Sequence, residues 1–151
     1  MSYTRLLYHI VFRTKNGKPA ITVEHEKILY TYIWKFIQER NSVLYRVNGM
    51  PDHIHIFTAL HSDIAVADFV RELKNATHLL LEKHHAEFPQ FYAWSKGYCA
   101  ISYSDKEREK IVNYIKNKKE HHQYTSFLEE TKYLLNEAGI EYDERYFDRN
   151  I

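Results

Sequence analysis

Cysteine is almost missing from this chain of 151 residues: Cys99 stands alone. One thiol excludes an intrachain disulfide and fits a reducing compartment. Proline and glycine are scarce, at three and four residues, and there is no low-complexity linker or internal repeat. No apolar run approaches the length of a membrane span, so no membrane partner is expected. The start, Met1-Ser2-Tyr3-Thr4-Arg5-Leu6, lacks the basic-then-apolar layout of a signal peptide. A cytoplasmic protein of one domain, residues 1–151, is the expectation. Nor does one sign of charge dominate: the net is +1, which argues against a strongly basic nucleic-acid coat.

The charge is unevenly spread, however. From Phe127 onward three Lys/Arg stand against seven Asp/Glu, a net of −4, and the rest of the chain carries +5. A basic body with an acidic tail permits a phosphate-binding surface. An evenly solvated surface ending in a polar helix fits the same charges.

Residues 6–14 are β-branched and aromatic and predict a strand. Lys15 to Pro19 is loop chemistry. Near-helical spacing of Ile28, Tyr32, Trp34, Phe36 and Ile37 predicts a helix over residues 22–40. Residues 43–47 and 53–59 predict two strands of a hairpin, with Asn48-Gly49 as the turn pair in a connection lengthened by Met50-Pro51-Asp52. A second long helix is predicted over residues 64–87, an aromatic loop over 90–96 and a fourth strand over 97–103. Ser104 and Glu107 form a capping-box pattern that opens a third helix reaching about residue 122. A last helix is predicted over residues 126–138, stopping at Gly139, with an acidic and aromatic tail behind it. The order β-α-β-β-α-β predicts an α+β, ferredoxin-like antiparallel sheet with helices on one face and additional C-terminal helices. In outline the core takes residues 3–104, the third helix 105–122, and the final helix and tail 126–151.

Chemistry concentrates in Met50-Pro51-Asp52-His53-Ile54-His55-Ile56-Phe57. On a strand, residues two apart share a face, so His53 and His55 aim two imidazoles the same way while Ile54 and Ile56 take the core side. Two readings stand open: a metal seat that needs at least one further ligand, or two strand histidines that face solvent or pack on aromatic rings. Tyr114 lies midway along the third helix with Lys118 one turn on and Lys110 one turn back. A phenol can attack phosphorus and form a covalent ester; equally, Tyr114 is one of thirteen tyrosines and could serve only as packing.

The ordered set is more specific than its members. Leu7-Tyr8-His9-Ile10-Val11-Phe12-Arg13-Thr14-Lys15, then Gly49-Met50-Pro51-Asp52-His53-Ile54-His55, Trp94-Ser95-Lys96-Gly97-Tyr98, Tyr114-Ile115-Lys116-Asn117 and Gly139-Ile140-Glu141-Tyr142-Asp143 together resemble the single-tyrosine HUH transposases of small insertion sequences and their repeat-associated relatives. The resemblance covers nearly the whole chain. It implies a nuclease and strand-transferase acting on single-stranded, hairpin-bearing DNA. It also implies a homodimer, Mg²⁺ or Mn²⁺ on His53 and His55, and Tyr114 as the nucleophile that forms a 5′-phosphotyrosine link.

One position departs from the family. Relatives carry glutamine four residues after the tyrosine as a third metal ligand; here Lys118 stands there. Glu120 or His121 could substitute, water could fill the place with Lys118 on a phosphate, or the chain could be a weakened or domesticated single-stranded DNA-binding protein. A metal-binding protein of the same fold acting on small molecules is a further rival. Arg13, Lys15, Lys110 and Lys118 are the candidate DNA contacts, Tyr92 and Trp94 could stack on bases, and His9 could support the metal site from a neighbouring strand. Cys99 reads as a buried, unreactive thiol.

Overall fold

The computed structural model describes residues 2–121 and 125–151, the side chain of His121 excepted. It is an α+β fold built on a four-stranded antiparallel sheet in the order β2-β3-β1-β4. The strands are β1 (Leu7–Arg13), β2 (Val43–Met50), β3 (His53–Ala59) and β4 (Cys99–Tyr103). The main helices are α1 (Glu26–Glu39), α2 (Val66–Lys83), α3 (Arg108–Lys116) and α5 (Phe127–Glu137), with one-turn helices α4 (Lys118–His121) and α6 (Phe147–Asn150). This is the ferredoxin-like arrangement expected from the element order.

The two central strands are buried on both faces, and their parity sorts the residues. Ile10 and Phe12 of β1 and Ile54 and Ile56 of β3 pack with Leu29, Ile33, Phe36 and Ile37 of α1 and Phe69, Val70 and Leu73 of α2. Each of these large side chains contributes about 1.5–3 kcal/mol by leaving water. The intervening residues take the opposite face. There Val11 and Cys99 meet Phe127, Leu134 and Leu135 of α5 and Phe147 of α6, while Leu7 and Phe57 meet Ile111 and Ile115 of α3. The second face is therefore roofed by the C-terminal helices. No helix among the described residues is long and apolar enough to cross a membrane.

Two expectations change. Asn48-Gly49 is not the hairpin turn: both residues stay in the β2 ladder, opposite His55 and Ile54, and Pro51-Asp52 makes the turn. The pair serves close approach instead. A Cβ on Gly49 would collide with the His53 carbonyl, and Asn48 Nδ2 donates to the carbonyls of Ile115 (3.0 Å) and Lys116 (3.2 Å), tying the end of α3 to the sheet. The third helix is also broken. Asn117 closes α3, its N–H returning to the Asn113 carbonyl, and Lys118 begins α4. The predicted end near residue 122 lies outside the described residues.

Candidate metal and tyrosine site

Strand β3 places His53 and His55 side by side on the roofed face, each fully buried. Both rings present Nε2 to one atom: Glu130 Oε1 lies 3.0 Å from His55 and 3.4 Å from His53. The far nitrogen of each ring is held. His53 Nδ1 meets Asp52 Oδ1 at 2.7 Å, and His55 Nδ1 meets His9 Nε2 at 2.8 Å. Such partners fix ring orientation and tautomer, as they do around bound metals. The donor set suits a divalent cation: two imidazole nitrogens and a carboxylate oxygen, all within 4.8 Å of one another.

Glu130 comes from α5, 75 residues beyond His55. That helix starts at Ser126, whose Oγ accepts from the Glu129 N–H. It ends at Gly139, with φ +71° and the Ile140 N–H returned to the Leu135 carbonyl, a glycine-terminated close. Its buried side chains are Phe127, Glu130, Thr131, Leu134 and Leu135. Glu130 is the one acid on that stripe, and an acid at a core-facing position of an amphipathic helix is the signal that could have found it in the sequence.

The second oxygen of Glu130 faces the tyrosine. Tyr114 donates its hydroxyl to Glu130 Oε2 at 2.5 Å, and the Lys118 ammonium forms an ion pair with the same atom while lying 3.7 Å from the Tyr114 ring centre. Burial is the main force raising the Tyr114 phenol above its ordinary range, with the Tyr133 and Tyr103 phenols adding to it. Burial alone pushes the Lys118 ammonium down to about 7; the carboxylate beside it works the other way. His9 is held neutral, its value lowered to about 3 first by burial and then by the Lys118 charge. His53 is lowered by burial, against an opposing pull from Asp52.

The other expected residues fall in different places. Glu120 is exposed on α4 and does not join the histidine–glutamate group; the side chain of His121 lies outside the described residues. Lys15 and Lys110 are exposed, as a phosphate contact requires. Arg13 and Lys118 are not: Lys118 is fully buried and Arg13 nearly so. Arg13 Nη2 binds Asp148 Oδ1 at 2.5 Å and the Asp148 carbonyl at 2.7 Å, and its guanidinium lies over the Phe127 ring. Trp94 is buried, with its Nε1 donating to Thr77 Oγ1, whereas Tyr92 is exposed. Cys99 is buried and its thiol pushed up to about 11.

Residues 2–118 match the family described as IS200-like transposases. The chain belongs to that family. Its members are transposases of single-stranded DNA, and an endonuclease step is implied by the membership. Among relatives of the IS200-like chain, the ISDra2 transposase TnpA of Deinococcus radiodurans is 23% identical over 120 residues, covering 75% of this chain and 84% of the relative. A solved structure from Deinococcus radiodurans, described as a transposase, aligns with TM-score 0.61 and 24% identity over 77% of this chain and 92% of its own. A REP-associated tyrosine transposase solved with a REP hairpin aligns with TM-score 0.59 and 16% identity, over 83% and 73%. At these identities the two structures speak for the fold.

Proposed function

We propose that this IS200-like transposase cuts and rejoins single-stranded DNA through Tyr114. The Tyr114 oxygen attacks the scissile phosphorus, Glu130 Oε2 receives the phenol proton, a 5′-phosphotyrosine ester forms, and the 3′-oxygen leaves and takes up a proton. The observation that carries this reading is the single carboxylate of Glu130, which joins the tyrosine hydroxyl to both histidines. His53, His55 and Glu130 would hold Mg²⁺ or Mn²⁺, which supplies Lewis-acid polarisation of a phosphate oxygen. Glu130 thus takes the role left open by Lys118 at the family's ligand position. His9 and Asp52 keep the two imidazoles turned toward the site. Lys118 balances negative charge beside the phenol, and Lys15 and Lys110 offer surface contacts to the strand.

A homodimer acting on a hairpin-bearing strand belongs to the same proposal. The neighbour solved with a REP hairpin supports the DNA part, and light scattering of the protein in solution measures the assembly. Within one protomer the Tyr114 ring lies 6.3 Å, centre to centre, from the His55 ring. A second reading, a DNA-binding protein weakened in catalysis, is favoured by the Lys118 ammonium, which competes with a cation for Glu130.

The test is a denaturing gel. Protein is incubated with Mn²⁺ and hairpin-bearing single strands from the DNA flanking its gene. A covalent adduct is expected, absent in Tyr114→Phe and in chelator. Binding without an adduct under any divalent ion would select the second reading.

A further inference from the structure

Beside the metal and tyrosine site, between β4, α3 and α5, lies a cavity of about 510 Å³. That size falls within the range of about 300–1,000 Å³ typical of small-ligand pockets. Its buried lining residues are His9, Ile111 and Leu134. Tyr103, Tyr114 and Tyr133 supply aromatic walls, and the charged groups among the described lining residues are Glu107, Lys110 and Glu137. Tyr114 and His9 therefore belong both to this cavity and to the histidine–glutamate site. His9 spends Nε2 on His55, and its buried Nδ1 has no hydrogen-bond partner among the described residues.

We propose that this cavity receives one unpaired nucleobase of the strand being cut, the base next to the scissile phosphate. The inference rests on the reading of Tyr114 as nucleophile and adds a specific seat for the substrate. Two observations favour a base over a phosphate. Two carboxylates against one ammonium make the described lining net acidic, which repels the backbone but not an uncharged ring. Three tyrosines offer stacking partners, and stacking accepts any base. A base lodged against Tyr114 also fixes which phosphate the phenol reaches, and such positioning converts binding into rate.

The test uses the full chain carrying Tyr114→Phe, in chelator, so that binding is read without cleavage. Short random-sequence single strands, each with one 5-iodouracil, are bound, irradiated and mapped by mass spectrometry. Cross-links at Tyr103 or Tyr133 are expected. Ala138→Trp places an indole at the mouth of the cavity from an exposed position, so the core need not repack. It should lower those cross-links roughly tenfold relative to cross-links elsewhere, the scale of one lost base–ring stack. Strands that bind but cross-link only elsewhere, or yields unchanged by Ala138→Trp, would overturn the base seat and leave the Tyr114 chemistry standing. A Tyr114 adduct in the unmutated protein is the separate measure of that chemistry. Absence of any strand binding would overturn both.

Discussion

Glu130 divides its two oxygens between two tasks: Oε1 faces the imidazoles, and Oε2 faces the phenol and the Lys118 ammonium. That division makes Lys118 a stabiliser of the metal-free protein and an opponent of the metal. A buried ion pair broken on one side costs about 3–5 kcal/mol because the remaining charge is stranded. A positive charge a few ångströms from a cation site weakens it strongly in a low dielectric. Lys118→Gln is therefore expected to lower the melting temperature of the metal-free protein and to tighten Mn²⁺ binding by about tenfold or more. Calorimetric titration and paired melts measure both; affinity that does not rise would show that Lys118 does not oppose the metal. His9 gives a second residue-scale expectation. It stays neutral in the fold down to about pH 3, while in the unfolded chain it charges near 6.5. Between those values the unfolded state binds more protons, so the contribution is whole above pH 6.5 and is lost as pH falls toward 3. Metal-free protein should lose stability through His9 as pH falls below 6.5, and His9→Gln should flatten the urea-midpoint profile below pH 6. The His53–His55 parity is readable from the sequence because a strand forces alternate residues to one face. Glu130 is not readable as their neighbour, since helix packing, not spacing, brings it across.

At the scale of elements, the strands and long helices follow from local chemistry, and the errors sit where tertiary contact overrides it. Asn48-Gly49 has the composition of a tight turn, yet the glycine is needed because the His53 carbonyl fills the space of a Cβ. The turn passes to Pro51-Asp52, which leaves Asp52 next to His53 to orient its ring. The same contact makes Gly49 a test of how the hairpin holds its histidine. Gly49→Ala would push β2 from β3 at the His53 backbone, with an expected cost of about 1–3 kcal/mol and a parallel loss of Mn²⁺ affinity. A loss of stability with affinity intact would show that the hairpin does not set the position of His53. The break at Asn117 has a similar origin. Lys119 Nζ reaches Glu26 Oε2 (2.9 Å), Asn48 Oδ1 (2.9 Å) and the Gly49 carbonyl (3.0 Å), so α4 is anchored to the sheet edge instead of continuing α3. The Lys119 ammonium is thus occupied within the protein.

At the scale of the molecule, the charge asymmetry of the sequence, −4 from Phe127 onward and +5 before it, acquires a structural meaning. The acidic end folds back on the basic body, and Asp148 covers Arg13. An amphipathic stripe on α5 foretells that one face is buried, but not that it roofs the sheet over His53 and His55. Asp148 occupies the nearly buried Arg13, and release of that one contact at the tail would free the guanidinium for a phosphate. Removing the carboxylate should favour that release. Asp148→Ala is expected to tighten binding of a single strand two- to threefold at low salt and to steepen the dependence of log affinity on log salt by about 0.7, the value of one added phosphate contact on single strands. Fluorescence anisotropy across a salt series gives both numbers. The source of the gain is checked in the Arg13→Ala background. There Asp148→Ala should change neither affinity nor slope, because the cation it would have freed is gone. A gain that persists without Arg13 would mean that the tail acts by general repulsion of the strand and not by holding this one guanidinium.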